Sequence, residues 1–415
     1  MQVVIVAGTD TILVGGEDRL IADVLVGGLS LLGRAIRAAQ IAGADRVLVV
    51  GPDRLREAAL RDRWLRVPVE WRACELPFAR SVEALVGAKD ALEPRFSAAC
   101  ADRVLSPALL PLGARDGDDC LVAVESDTSP VSVIGCSTEV LERRRDLSLD
   151  AAARDLLATG AGRALPVSAH TPALRIRSDE ERRAAHRRLF AGLKKPLGHD
   201  ADGIVAYYLN RRISSWMSRA LVHTPVTPNQ VSAIAMILGL VAAALAATGV
   251  WAWMVAAGVI LQSASVIDGV DGEIARLKLC MSKSGEWFDT VCDDVTSIAF
   301  FAGVGHACHL RGAPWALAST VVGAASWIAL DALLYRDLLR AGHASHNQNP
   351  WVPPSGRLSR AVVLAIAYAG KRDLYTLILL VLLVLDLPAA AFAMMLAGVV
   401  AALAALVLEK LRSHS

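Results

Sequence analysis

Residues 268–293 read DGVDGEIARLKLCMSKSGEWFDTVCD, and the placement of their four aspartates decides how the rest of the 415-residue chain is read. Asp268 and Asp271 are three apart and Asp289 and Asp293 four apart, so on helices each pair shares a face. Lys278 to Gly285 forms a short basic turn between them. Two helices joined by such a turn are expected to be antiparallel neighbours, with the four carboxylates converging at one end. The sequence on either side is apolar. Carboxylates at membrane depth cost about 2.5–3.5 kcal/mol each on insertion scales, and more when clustered, so four of them need a use. An oxygen-rich set without Cys or His suits hard cations such as Mg²⁺ or Mn²⁺, and four carboxylates suffice for two ions. Gly272 and Ala275 leave room for a ligand against the helix, Arg276 is placed to pair with a phosphate, and Gly285 permits a tight approach at the next helix start. A single such aspartate would cap a helix or pair with a nearby Lys or Arg. Four, with Gly, Ala and Arg at fixed offsets, point to a metal site.

Outward from this stretch the chain divides by composition. Its hydrophobic fraction is 54% and only 20% of residues are charged, but residues 1 to about 230 read as ordinary charged globular sequence. Beyond them lie six apolar runs: Val231–Val250, Trp251–Ile267, Trp287 to about His306, Ala313–Leu330, Leu374–Leu385 and Ala389–Leu408. A spanning helix needs about 20 apolar residues, and six runs in succession argue for a transmembrane bundle over a soluble core. Charge placement supports that count. Arg211, Arg212, Arg219, Arg276, Lys278, Lys283, Arg336, Arg340, Arg357, Arg360, Lys371, Arg372, Lys410 and Arg412 fall on one side of a six-span topology, and only Arg311 on the other. The positive-inside rule then puts both termini and the carboxylates on the cytoplasmic side of the inner membrane. Ile204 to Leu221 alternates apolar and basic residues at helical spacing and reads as an interfacial helix, while Thr227-Pro228 reads as a helix start.

Net charge is +2, too mild to argue for nucleic acid as a partner. The seven cysteines form no CxxC, which argues against a disulfide framework or zinc site and fits a reducing compartment. Met1 to Ala7 lacks a basic flank and reads as a first strand rather than a signal peptide. Lys371 and Arg372, at the mouth of the fifth run, are candidates for a phosphate on an acceptor or equally for a positive-inside anchor. His343 and His346 read as loop residues, and Asp331 as a group meeting water or Arg336.

The pattern DxxDGxxARx8GxxxDxxxD is complete on Asp268, Asp271, Gly272, Ala275, Arg276, Gly285, Asp289 and Asp293. It resembles the CDP-alcohol phosphotransferase family, and the eight-position match is highly specific. The resemblance implies six transmembrane helices, a homodimer, Mg²⁺ or Mn²⁺, and transfer of a substituted phosphate from a CDP-alcohol donor to an alcohol acceptor with release of CMP. It also implies that Asp268, Asp271 and Asp289 ligate metal, that Asp293 completes the site and acts as general base, and that Gly272, Ala275, Arg276 and Gly285 line the CDP site.

In the front half, a strand at Gln2–Ala7, a helix at Ser30–Ile41 and a strand at Arg46–Val50 give a βαβ rhythm and predict a parallel-rich α/β sheet. VGGLSLLGRAIRAAQIAGADRVLVVG (Val26–Gly51) resembles the nucleotidyltransferase fold of sugar-phosphate cytidylyltransferases, and Asp102 falls where that family has a metal-binding aspartate. Leu193 to Ser214 is similar to the junction in fused inositol-phosphate cytidylyltransferase/di-inositol-phosphate-phosphate synthases. Two departures stand out. Ala7–Leu13 lacks a GxGxR phosphate loop, and Arg177 stands near the place of the second metal aspartate. The expected organisation is a degenerate cytidylyltransferase-like domain over 1–195, a linker with interfacial helix over 196–228 and a six-helix membrane domain over 229–415. An inositol-phosphate synthase or a phospholipid synthase would fit. A transporter or a divalent-metal-binding protein without transferase activity is the alternative, disfavoured because its carboxylates would usually lie near the bilayer midplane.

Overall fold

The computed structural model describes residues 1–112, 120–124, 130–166, 173–193, 205–342 and 372–413. They form two compact units, one of Met1–Ala191 with Leu277–Cys280 and one of Gly192–Arg276 with Met281–Ser415.

The first unit is built on a seven-stranded sheet in the order Gly162–Pro166, Cys120–Val124, Pro130–Cys136, Phe96–Cys100, Gln2–Val6, Arg46–Gly51, Val69–Ala73. Gln2–Val6 is parallel to both neighbours, and Arg46–Gly51 is parallel to Val69–Ala73. Pro130–Cys136 runs antiparallel to the strands beside it. The central strands are continuous apolar runs because both faces are covered. Val4, Val6, Leu48 and Val50 face one core with Val82, Leu85, Leu149 and Leu156. Val3, Ile5, Val47 and Val49 face the other with Leu32, Ala35, Ile36 and Ala39. Helices Ser81–Gly87 and Leu149–Ala158 thus cover one face and Leu31–Ile41 the other, a three-layer α/β arrangement. The hydroxyl of Ser30 caps Leu31–Ile41, accepting from the Gly33 N–H at 3.1 Å.

After the first strand the chain makes a hairpin, Thr11–Val14 paired with Glu17–Leu20. Gly15 and Gly16 turn it with φ of 62° and 90°, the left-handed conformation such two-residue turns require.

The second unit is helical. A π-helical turn at Ala206–Asn210 leads into Arg211–Leu221, followed by Pro228–Ala247, Trp251–Leu277, Lys283–Leu310, Trp315–Ala341, Arg372–Val384 and Pro388–Ser413. Thr227 starts the first long helix with a reciprocal capping box to Gln230 and Pro228 at its first position. Among the described residues, four helices are long and apolar enough to cross a bilayer: Pro228–Ala247, Trp251–Leu277, Trp315–Arg340 and Pro388–Leu408. The other two expected spans differ for separate reasons. Lys283–Leu310 is long but opens with Lys283, Glu286, Asp289, Asp293 and Asp294. Of the fifth expected span the described residues hold Arg372–Val384, and the stretch before Arg372 lies outside them.

Met254, Ala257 and Leu261 of Trp251–Leu277 share one core with Phe300, Phe301 and Val304 of Lys283–Leu310, as expected of neighbouring helices. Lys283–Leu310 also packs extensively on Pro228–Ala247. A Cβ on Gly303 would lie 2.3 Å from the Ala243 carbonyl oxygen, so those two backbones touch through small residues. At the end remote from the aspartates, Arg311 donates to the Gly249 carbonyl at 2.7 Å and pairs with Asp386, gathering three connections together.

Candidate active site

The motif sits on facing turns of Trp251–Leu277 and Lys283–Leu310. Asp268, Asp289 and Asp293 each offer a carboxylate oxygen, and these atoms all lie within 4.8 Å of one another. All three side chains are half-buried. The Oδ1 atom of Asp289 is buried with no hydrogen-bond partner. An orphaned anionic oxygen inside a set of three carboxylates fits a hard divalent cation, which takes oxygen ligands at about 2.0–2.1 Å for Mg²⁺. The residues present therefore fit the group that the motif implies.

Asp271 stands one step aside. The Ser232 hydroxyl on Pro228–Ala247 and the Gly272 N–H both donate to it. It is buried, whereas the other three open toward a common point. The structure thus brings together three of the four predicted ligands and holds the fourth, Asp271, to Ser232.

Arg372 enters this cluster. Its guanidinium donates to Asp293 and lies 3.4 Å from Asp268 Oδ1. The predicted phosphate-binding arginine is therefore held between two of the carboxylates, and Lys371, His343 and His346 lie outside the described residues. The neighbouring Asp373 accepts from the Ala206 N–H at 2.7 Å. Thr376 donates to Gln262 at 2.8 Å, and Gln262 in turn donates to Asn210 at 3.2 Å. This chain of polar contacts fixes the start of Arg372–Val384 and so the position of Arg372.

The remaining motif residues line the same turns. Arg276 folds back over Gly272, whose Cβ, were it present, would be 3.3 Å from Arg276 Nη1. Ala275 is half-buried on the next turn. Gly285 lies in the first turn of Lys283–Leu310, donating to the capping Ser282 hydroxyl at 3.1 Å, and a Cβ there would come within 3.3 Å of Asn229 Oδ1.

Several residues were not singled out from the sequence. Glu273 has no exposed surface and is held by Arg211, Ser214 and Ser218. A carboxylate in the motif followed back to an Arg and two Ser residues at helical spacing was the available signal. Tyr335 donates to Asp294, with Trp287 edge-on to its ring at 5.2 Å. Asp331 is buried, and Arg336 pairs with Asp337 at 3.5 Å.

In the first unit, Asp102 lies in a network of opposite charges. Arg103 donates to it through Nε at 2.7 Å and Nη2 at 3.2 Å, and Arg175 Nε lies 2.7 Å from Asp102 Oδ2. Both arginines also pair with Asp150. Asp102 and Arg103 are buried. Burial opposes the charge on Arg103, but Asp102 and Asp150 outweigh it and hold its pKa above the ordinary arginine value. Where a phosphate loop would follow the first strand, the hairpin stands instead, and the Phe78 N–H donates to Asp10 at 2.6 Å. A Cβ on Gly8 would lie 2.7 Å from Phe78 N, so that strand end is filled by protein. Arg177 is exposed.

Compared with known proteins, residues 225–408 match one family, CDP-alcohol phosphatidyltransferase. A bifunctional IPC transferase and DIPP synthase of Thermococcus kodakarensis is 36% identical over 132 residues, covering 32% of this chain and 29% of that protein. A protein of the same description from Aquifex aeolicus is 34% identical over 122 residues, covering 28% and 27%. The match thus spans less than a third of the length of these relatives. Among solved structures, HddC from Yersinia pseudotuberculosis aligns with 45% of this chain and 98% of its own at 17% identity and a TM-score of 0.35. The inositol-1-phosphate CTP transferase from T. maritima aligns with 40% and 84% at 14% identity and a TM-score of 0.33.

Proposed function

We propose, on the premise that residues 225–408 are a CDP-alcohol phosphatidyltransferase domain, that the chain transfers a substituted phosphate from a CDP-alcohol to an acceptor hydroxyl and releases CMP. The observation that carries this reading is the convergence of Asp268, Asp289 and Asp293 within 4.8 Å at one end of the motif helices. Those carboxylates, with Asp271, would hold Mg²⁺ or Mn²⁺. When bound, the ion supplies positive charge to diphosphate oxygens and to the leaving group.

The chain's own residues do the rest. Asp293 takes the proton of the acceptor hydroxyl as its oxygen attacks the phosphorus bearing the alcohol. A P–O bond forms to the acceptor, and the P–O bond to the CMP oxygen breaks. Arg276 lies over Gly272, where it meets the charge of a phosphate. Arg372 orients Asp293 and stands ready to exchange that contact for an anionic group on the acceptor. By analogy with the described relatives, an inositol phosphate is the first substrate to test, and a phosphatidyl donor the second.

The first unit serves this reading as a degenerate cytidylyltransferase-like domain. Its Asp102 already has two cationic partners, and the space after its first strand is filled. The reading also has the chain as a homodimer in the inner membrane, the carboxylates facing the cytoplasm and Ile213 and Trp216 of Arg211–Leu221 turned toward the leaflet.

The test is CMP release by purified full-length protein from a panel of CDP-alcohols and acceptors, with and without Mg²⁺ or Mn²⁺. Metal-dependent CMP formation with at least one pair is expected; none with any pair would end the transferase reading. CDP-alcohol formation from CTP by the same protein would reverse the reading of the first unit.

A further inference from the structure

One face of the Arg211–Leu221 helix turns polar residues inward. Ser214 and Ser218 are buried, while Ile213 is 44% and Trp216 70% exposed. The inward face converges on one group, Glu273 of Trp251–Leu277. Arg211 Nη1 donates to Glu273 Oε1 at 3.0 Å, Ser214 Oγ to the same oxygen at 2.7 Å, and Ser218 Oγ to Oε2 at 2.6 Å. Arg211 Nη1 also lies 3.3 Å from the Gly269 carbonyl oxygen. Residues 211, 214 and 218 follow helical spacing, so one face of one helix supplies all three groups. Both Glu273 oxygens are satisfied, as a buried carboxylate requires.

Gly269 and Glu273 are four apart and form the back of the turn whose front presents Asp268 and Asp271. At about 100° per residue, Glu273 points roughly 140° from Asp268. A grip on residues 269 and 273 therefore fixes the rotation of the helix that aims the metal-binding carboxylates, without occupying their side of it.

We propose that Glu273 is a positioning residue: through Arg211, Ser214 and Ser218 it locks the Arg211–Leu221 helix to the back of the carboxylate turn and so sets the geometry of the divalent-cation site. This deepens the metal-assisted transfer read above and rests on it. Supporting groups that orient ligating carboxylates typically account for a 10–100-fold change in metal affinity.

The test compares wild-type protein with Glu273→Gln and with the double variant Ser214→Ala/Ser218→Ala, all full-length in detergent. Mn²⁺ affinity is read by electron paramagnetic resonance, and amide hydrogen exchange is followed over 211–221. Glu273→Gln is expected to weaken Mn²⁺ binding about 10-fold or more, to accelerate exchange over 211–221, and to lower kcat for CMP release while leaving the donor KM near wild type. The double variant, which keeps the charge pair, is expected to show the same changes more weakly, and it carries the test if Glu273→Gln does not fold. Faster exchange over 211–221 with Mn²⁺ affinity within twofold of wild type would mean that Glu273 only anchors the helix, and the proposal would be wrong. Wild-type protein that binds Mn²⁺ but releases no CMP would remove the transfer reading while leaving the positioning role to stand on Mn²⁺ affinity. Wild-type protein that binds no Mn²⁺ would remove both.

Discussion

Two clusters of aspartate and arginine, one in each unit, meet opposite fates. In the first unit Asp102 and Asp150 are matched by Arg103 and Arg175, two carboxylates to two guanidiniums, in a buried network. In the helical unit Asp268, Asp271, Asp289 and Asp293 crowd together, and Arg372 bonds two of them. A buried Asp289 oxygen is left with no hydrogen-bond partner. Charge balance separates the first cluster, a structural ion-pair network, from the second, which is proposed above to bind a cation. Where the count closes, the network needs nothing more; where carboxylates are in excess, a cation completes it.

The comparison is most directly broken at Asp293. Asp293→Asn is expected to lower CMP release by about 10²–10⁴-fold, the usual weight of a general base, while donor binding persists. Donor binding followed by equilibrium dialysis, alongside the CMP assay, separates the two effects, and wild-type turnover would take the base role from Asp293. In the first unit, Asp102→Asn leaves Arg103 and Arg175 sharing one carboxylate. We expect a destabilisation of about 3–5 kcal/mol, as for other broken buried pairs, read by urea unfolding of the full chain. Mn²⁺ affinity should be unchanged in that variant; a loss would mean that the closed network is itself an ion site.

Ligand linkage sharpens the contrast further. Mn²⁺ at 100 times its Kd should stabilise the wild type by about 2.7 kcal/mol, lost on chelation. Asp289→Asn should abolish most of that gain and Asp102→Asn none of it, both measured as a shift in the unfolding midpoint. The smallest expected effect is at the entrance to the first long helix. Thr227→Ala removes the capping hydroxyl and should cost about 1 kcal/mol with no change in Mn²⁺ affinity.

Much of this was legible in the amino-acid order because the signals were local. Thr227-Pro228 marked a helix start by its capping chemistry, and the Trp251–Leu277 helix followed from an uncharged run leading into aspartates at a spacing of three. The strand–helix–strand rhythm of the first fifty residues gave Gln2–Val6, Leu31–Ile41 and Arg46–Gly51. What stayed hidden was long-range. Arg372 reaches Asp293 across 79 residues of chain, and Glu273 meets Ser218 across 55. Such pairings leave no periodic trace. A basic pair at a membrane edge reads the same whether it meets lipid, phosphate or carboxylate.

Taken alone, the sequence determined the first strands and helix of the α/β unit, the apolar helical runs beyond it and the oxygen-rich character of the motif, since hydrophobic periodicity and ligand chemistry are properties of neighbouring residues. The tertiary structure decided which aspartates share a point in space, which are hydrogen-bonded aside as Asp271 is by Ser232, and which are neutralised as Asp102 is by Arg103 and Arg175. Those outcomes depend on distances between separate helices and strands. Electrostatic interaction falls with distance and with solvent access, so only packing sets whether a carboxylate meets a guanidinium, a hydroxyl or a cation.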